Sequence, residues 1–348
     1  MRYLILVSLL TLVWLFNSCN LIHPGQKDGK FQKEPINLTD FNSEYDDYNS
    51  TLPSNKYGYG PLIFSSKRAV KDRFNLVCMP FNLTYDDKTD KLSANTSVFS
   101  GSDVLESIRT LKNELQFING AYNVLGPLAL PFNTPQLEDN TGHNGQFLTL
   151  FADDQAGNLN IRFGYNAVGN RWAFVGPMDV SFLNSSADDA YPTFYSNSPN
   201  GEYYTTRYSE IYFTSNRDGN FDIYRAIIPT NKSLLDVLGS GEKFPIEKVE
   251  SLSSPYDDKC PFIIDNKMVF TSNRPGGQGG YDLYSSRNIN GAWSAPENLG
   301  SRINSSSDDY RPIIPRDLRT AFNYDLLIFS SNRPGGLGGF DLYMVGLE

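Results

Sequence analysis

The chain has 348 residues and a formal net charge of −9, with 40% hydrophobic and 14% aromatic residues. That acidic balance argues against a nucleic-acid partner, which selects basic surfaces. With only two histidines, a histidine-based metal site or a Ser-His-Asp triad has almost nothing to work with, and no cofactor motif occurs.

The first residues set the compartment. After Arg2, residues 4–16 form an apolar run of signal-peptide length, short of the ~20 apolar residues that span a bilayer. The run ends at Phe16, Asn17, Ser18 and Cys19, which resembles a bacterial lipobox. That resemblance implies a diacylglycerol thioether on Cys19 after cleavage. Residues 1–18 are therefore expected as a signal peptide, and 19–32 as a polar tether carrying Pro24, Gly25 and Gly29. Residues 33–348 are expected as the folded part, on an outer-membrane lipoprotein facing either the periplasm or the exterior.

A repeat dominates the folded part. Its clearest copies are the strands 211–217, 268–274 and 327–333, each ending Ser-Asn-Arg, with a looser copy at 62–68 and a degenerate one at 148–153. A turn and an aromatic-Asp-aliphatic-Tyr strand follow, carrying Asp222, Asp282 and Asp341, with 74–76 and 158–161 as weaker equivalents. Upstream lies an acidic pair: Asp46 and Asp47, Asp188 and Asp189, Asp257 and Asp258, Asp308 and Asp309. Glu138 and Asp139 take that slot in the degenerate copy. Further upstream is a proline-led outer strand at 127–130, 177–180, 245–249 and 296–299.

Four short strands per unit, rich in β-branched and aromatic residues, predict an all-β, five-bladed β-propeller of four-stranded antiparallel blades. The last blade runs out after its third strand. Residues 35–38, followed by Asn42 and the Asp46–Asp47 pair, copy the order at 296–309, so the N-terminal strand is expected to close the ring. The string at 270–284, echoed at 329–343, resembles the TolB-like (WD-repeat-like) propeller family of bacterial envelopes. The resemblance implies protein–protein work at the outer membrane.

The repeated residues read as structural. The glycine-rich stretches at 275–280 and 334–339 lead into strands and lack a phosphate loop's lysine and helix, so they are turns. A carboxylate repeated in every blade does one job for every blade, unlike the dissimilar pair a glycosidase needs. These aspartates are expected to bind turn amides and to pair with Arg217, Arg274 and Arg333 across blade boundaries. No Asp-x-Asp-x-Asp-Gly calcium loop occurs. Cys78 and Cys260 fall on non-adjacent blades and are expected as two buried thiols. Trp172 and Trp293 share one slot and are expected to pack between strands.

The unrepeated residues are the candidates for function. A loop in blade three carries Tyr195, Tyr203, Tyr204, Arg207 and Tyr208, a chemistry suited to a glycan or peptide, and Tyr57 and Tyr59 extend it from blade one. An insertion at 82–126 is expected as a hairpin followed by an amphipathic helix over 102–115. It would seal the channel or dock a partner. The function these features point to is a lipid-anchored, non-catalytic binding or scaffold module for an envelope protein or a glycan. The alternative is a five-bladed glycoside hydrolase, for which Asp265 is an unrepeated carboxylate.

Overall fold

Alternating short strands and tight turns leave the chain one way to bury both faces of small twisted sheets, which is to set them radially around an axis. The computed structural model describes residues 31–53, 59–86, 88–89, 91–97, 103–131, 146–167, 170–196, 208–315 and 325–347. Within these, five antiparallel sheets form a five-bladed propeller, four of them four-stranded and the fourth blade's outer edge split into two short strands.

The strand β1 (Ile36–Asn37) belongs to the last blade. Blade one holds β2 (Asp47–Thr51), β3 (Tyr59–Ser66), β4 (Asn75–Asp86) and β5 (Lys91–Asn95), followed by the helix α1 (Asp103–Ile118). Blade two holds β6 (Val124–Pro131), β7 (Phe147–Asp153), β8 (Asn160–Ala167) and β9 (Asn170–Asp179). Blade three holds β10 (Asp189–Tyr195), β11 (Glu210–Ser215), β12 (Asp222–Ile227), the short helix α2 (Leu234–Leu238) and β13 (Ile246–Lys248). Blade four holds β14 (Asp258–Ile264), β15 (Lys267–Ser272), β16 (Asp282–Ile289), β17 (Ala292–Trp293) and β18 (Glu297–Asn298). Blade five holds β19 (Asp309–Ile313), β20 (Asp325–Ser331) and β21 (Asp341–Leu347). Ile36 and Asn37 of β1 pair with Met344 and Tyr343 of β21, so the N-terminal strand closes the ring as the sequence predicted.

Two expectations for the blade-one to blade-two region are corrected. Residues 127–130 lie in β6, the inner strand of blade two, and not in an outer strand. The outer strand of blade one is β5, the return arm of the hairpin placed in the insertion. The acidic-pair slot of blade two is therefore filled by Asn123 and Val124, since Val124 pairs with Asp153 where Asp189 pairs with Ser215. Glu138 and Asp139 fall outside the described residues. A proline-led strand with alternating apolar residues reads the same at either edge of a sheet, which is why the frame slipped.

Helix α1 does not cap the ring. Its apolar stripe of Ile108, Leu111, Leu115 and Ile118 packs between blades one and two, with Cys78, Phe147 and Phe151. The helix then delivers Asn119 to the joint, where its side chain takes the Leu76 amide at 2.7 Å and donates to the Leu76 carbonyl at 2.9 Å. Asn42, Asn184 and Asn304 make the same two-pronged bond to Leu342, Ile161 and Leu283.

Candidate functional site

The acidic pairs divide into two roles. The first member reaches the preceding blade: Asp46, Asp188, Asp257 and Asp308 accept the amides of Phe340, Leu159, Phe221 and Tyr281 at 2.8–3.0 Å. Asn123 does the same for Phe74 in blade two. The second member is fully buried and stays within its own blade, where Asp47, Asp189, Asp258 and Asp309 pair with Arg68, Arg217, Arg274 and Arg333 at 2.5–2.8 Å. The arginine pairing expected across blade boundaries is thus corrected. The pairing partner is the aspartate that opens the same blade's inner strand, a short hop across the β10–β11 ladder and its equivalents. Each arginine also donates to a carbonyl of the linker entering its blade, from Phe41, Leu183, Leu252 and Ile303.

Asp282 and Asp341 hold the glycine-rich turns by accepting the amides of Gln278 and Gly279, and of Leu337 and Gly338. The turn has no room for side chains: a Cβ on Gly279 would lie 2.0 Å from the Ser307 carbonyl oxygen. Asp222, without such a turn, binds Lys248 at 3.1 Å.

Of the tyrosine cluster, Tyr195 is buried against Tyr212 and Trp293, and Tyr208 packs on Phe194. Tyr203, Tyr204, Arg207 and Tyr57 fall outside the described residues, as does Cys19; Tyr59 opens β3. Trp293 is buried and donates to the Tyr212 hydroxyl at 2.9 Å. Trp172 is corrected: it stands 49% exposed on the outer strand β9, beside α1, whose Asn113 donates to the Trp172 carbonyl at 3.0 Å. Asp265 sits exposed in the β14–β15 turn, at the end of the ring opposite the acidic pairs. Cys78 and Cys260 are both buried and free, and burial pushes each thiol up to about 12. Among the described residues, no group of three or more His, Cys, Asp or Glu side chains is placed to hold a metal.

The geometry brings a different set together. Where the inner strands begin, two positions per blade alternate around the axis: the first residue before strand three and the second residue of strand one. They form a girdle whose aromatic arc runs Phe74, Tyr48, Phe340, Tyr310, Tyr281. Neighbouring ring centroids lie 4.8, 5.6, 6.4 and 5.4 Å apart. Leu159, Ala190 and Leu125 hold the equivalent places on the opposite arc.

The repeat breaks at one point of this girdle. Lys259 stands where other blades carry Tyr48, Leu125, Ala190 or Tyr310. Its ammonium lies 4.0 Å from the Phe221 ring centroid and 5.0 Å from that of Tyr281. Tyr281 adds a hydroxyl that Phe74, Phe221 and Phe340 lack, and donates it to Asp257 Oδ2 at 2.6 Å. Lys259 pairs with the same oxygen at 3.1 Å. Burial pushes the Asp257 carboxyl up, but the Tyr281 hydroxyl, the Phe221 amide and Lys259 outweigh it and hold the group below its ordinary range. The tyrosine and lysine were both legible as letters. Their meeting at Asp257 was hidden because the sequence does not show which repeat positions share the axis.

Neither a family model nor a curated protein sequence matches the chain. Solved structures do. The catalytic domain of a Coprinopsis cinerea GH62 α-L-arabinofuranosidase is similar with a TM-score of 0.50 and 13% identity, over 92% of this chain and 97% of that one. A GH62 hydrolase in complex with xylotriose is similar with a TM-score of 0.51 and 10% identity, over 93% and 99%. The structure of a putative TolB from Agrobacterium tumefaciens is similar with a TM-score of 0.39 and 12% identity, over 90% and 97%. At such identities the property shared with the two GH62 structures is the fold. These neighbours correct the expectation of a non-catalytic scaffold: the two solved rings that match above are hydrolases of carbohydrate, which was the alternative.

Proposed function

We propose that the chain is a carbohydrate-active enzyme of glycoside-hydrolase type that takes a sugar at the girdle. The observation that carries this reading is the double departure from the repeat at Asp257. A residue repeated in every blade serves the fold; a lysine meets the joint carboxylate in blade one too, where Lys67 pairs with Asp46 at 2.8 Å beside the Phe74 ring, but among the described residues a tyrosine hydroxyl joins the lysine at Asp257 alone. Aromatic faces stack on sugar rings and a cation beside a carboxylate keeps it ionised, as a base or nucleophile requires. A glycosidase needs a second carboxyl as proton donor. Asp308 flanks the same ring but accepts the Tyr281 amide as its counterparts do in the other blades, so it serves the joint, and Asp257 is the one carboxylate this reading assigns.

The similar hydrolases support pentose-containing glycans as the first substrates to try. The N-terminal reading is kept with this proposal: residues 1–18 as signal peptide and a lipid on Cys19 would hold the ring at an outer-membrane surface, facing polymeric glycan.

The test is turnover. Purified protein is incubated with 4-nitrophenyl pentosides and with arabinoxylan oligosaccharides, and released sugar is quantified. Asp257→Asn is expected to lower kcat by ~10²–10⁴-fold, the usual loss of a general acid–base group, and because Asp257 also holds the Phe221 amide its melting is compared with that of Asp188→Asn, the same joint change in blade three. No release from any pentoside by folded wild-type protein would overturn the proposal.

A further inference from the structure

Just below the girdle, each inner strand carries one residue with positive φ at a bulge: Asn49, Gly126, Tyr191, Cys260 and Arg311, with φ between 51° and 59°. The bulge turns these five positions onto the axis, as contacts between non-adjacent blades show. The Asn49 amide lies 3.5 Å from the Tyr191 hydroxyl, joining blades one and three. Arg311 of blade five donates through Nη2 to the Pro127 carbonyl of blade two at 3.3 Å.

Arg311 is fully buried, and it is the largest side chain among the described residues to be so. Its guanidinium lies 5.4 Å from the Tyr191 ring centroid. The groups that face it are Tyr191, Tyr310 and Cys260, all neutral in their ordinary state and pushed further that way by burial. Among the described residues no carboxylate pairs with it, and its Nε and Nη1 have no hydrogen-bond partner. By contrast, the repeat arginines that follow the second strands, Arg68, Arg217, Arg274 and Arg333, each have a buried aspartate.

An unpaired buried charge costs several kcal/mol, and an arginine cannot shed its proton to avoid that cost. We propose that the propeller axis holds one monatomic, halide-sized anion, bound by Nε and Nη1 of Arg311. Both donors lie beyond the reach of solvent, which favours a small monatomic ion over an oxyanion or a substrate carboxylate. The ion sits under the girdle and serves the ring: it neutralises the one charge on which inner strands from several blades converge. It is independent of the sugar site above.

The experiment uses the whole folded protein. Crystals grown without halide are soaked in bromide, and anomalous scattering is measured. In parallel, thermal melting is followed in sodium chloride, sodium bromide and sodium gluconate at equal ionic strength. One bromide peak beside Nε and Nη1 of Arg311 is expected, with a melting temperature several degrees higher in halide than in gluconate. Arg311→Met, which keeps the bulk and removes the charge, is expected to melt at the same temperature in all three salts. An empty axis in the bromide map, or equal wild-type melting in halide and gluconate, would overturn the proposal. If Arg311→Met does not fold, the wild-type peak and salt dependence still decide the question.

Discussion

At the scale of single residues, the joints between blades show one bonding pattern written in two spellings. In blades three, four and five an aspartate on the incoming linker meets an asparagine after the second strand: Asp188 with Asn216, Asp257 with Asn273, Asp308 with Asn332. In blade two the letters are exchanged. Asn123 donates through its amide and its side chain to Asp154, at 2.8 and 2.6 Å, and its Oδ1 still accepts from Phe74. In blades two to five the joint is one carboxylate and one amide, in either order, while in blade one Lys67 takes the amide's place and pairs with Asp46 at 2.8 Å. Asn123→Asp alone places two carboxylates together and is expected to cost on the order of 1–3 kcal/mol, since a donor is lost and like charges meet. Asn123→Asp with Asp154→Asn rebuilds the spelling of the other blades and is expected to recover most of that loss. Urea melts of the two single variants and the double variant form the cycle that measures it. If the double variant is merely the sum of the singles, the two residues do not act as one joint.

Among elements, α1 is where the fold departs most from its repeat and where burial reaches a carboxyl. Glu114 lies inside the wedge that α1 makes against blade two, and accepts from the Thr149 hydroxyl at 2.9 Å. Burial pushes its carboxyl up to about 8, against the Thr149 and Asn166 bonds that pull it down. The unfolded chain ionises this group near its ordinary 4.5, so between 4.5 and about 8 the folded state binds more protons. Stability therefore falls as pH rises through that window, by up to ~1.4 kcal/mol per pH unit, and levels off above it. Glu114→Gln keeps the shape and cannot ionise, so its stability is expected to stay flat where the wild type declines. Guanidinium titrations at pH 5, 6.5 and 8 check this; parallel declines in both proteins would refute it. The helix itself was legible in the spacing of Ile108, Leu111 and Leu115. Its site was not, because amphipathic spacing says that a face is buried without naming the surface that buries it. For the same reason the strands of blades three to five were readable from Ser-Asn-Arg and its echoes, while blade two, with Asp153 and Arg162 replacing the serine and arginine, lost its frame.

For the molecule as a whole, closure is the step that turns five marginal sheets into one cooperative unit. A four-stranded blade buries its faces only against two neighbours, so an open ring exposes an edge and two apolar faces at once. The closing contact is small. Ile36 and Asn37 form two register pairs with β21, Leu38 donates to the Leu342 carbonyl at 2.9 Å, and Asn42 grips Leu342 from both sides. Its consequence is larger, because Phe31, Leu38 and Phe41 join Phe64, Phe81, Ile328 and Met344 in a core shared by the first and last blades. Asn37 also donates to Asp341 at 2.9 Å, and the Asp47 amide to the Phe340 carbonyl at 2.8 Å, so the clasp meets the same aspartate that holds the last glycine-rich turn. A protein starting at residue 43 keeps every strand of the ring but β1. It is expected to lose its single sharp thermal transition and to expose amide protons of β20 and β21 first in hydrogen exchange, with protection lost toward both neighbours. A peptide of residues 31–42 added in trans is expected to restore part of that protection, because the strand it supplies needs only an open edge to pair with. Unchanged melting and exchange in the shortened protein would mean that the remaining blade contacts close the ring unaided, and that β1 decorates it.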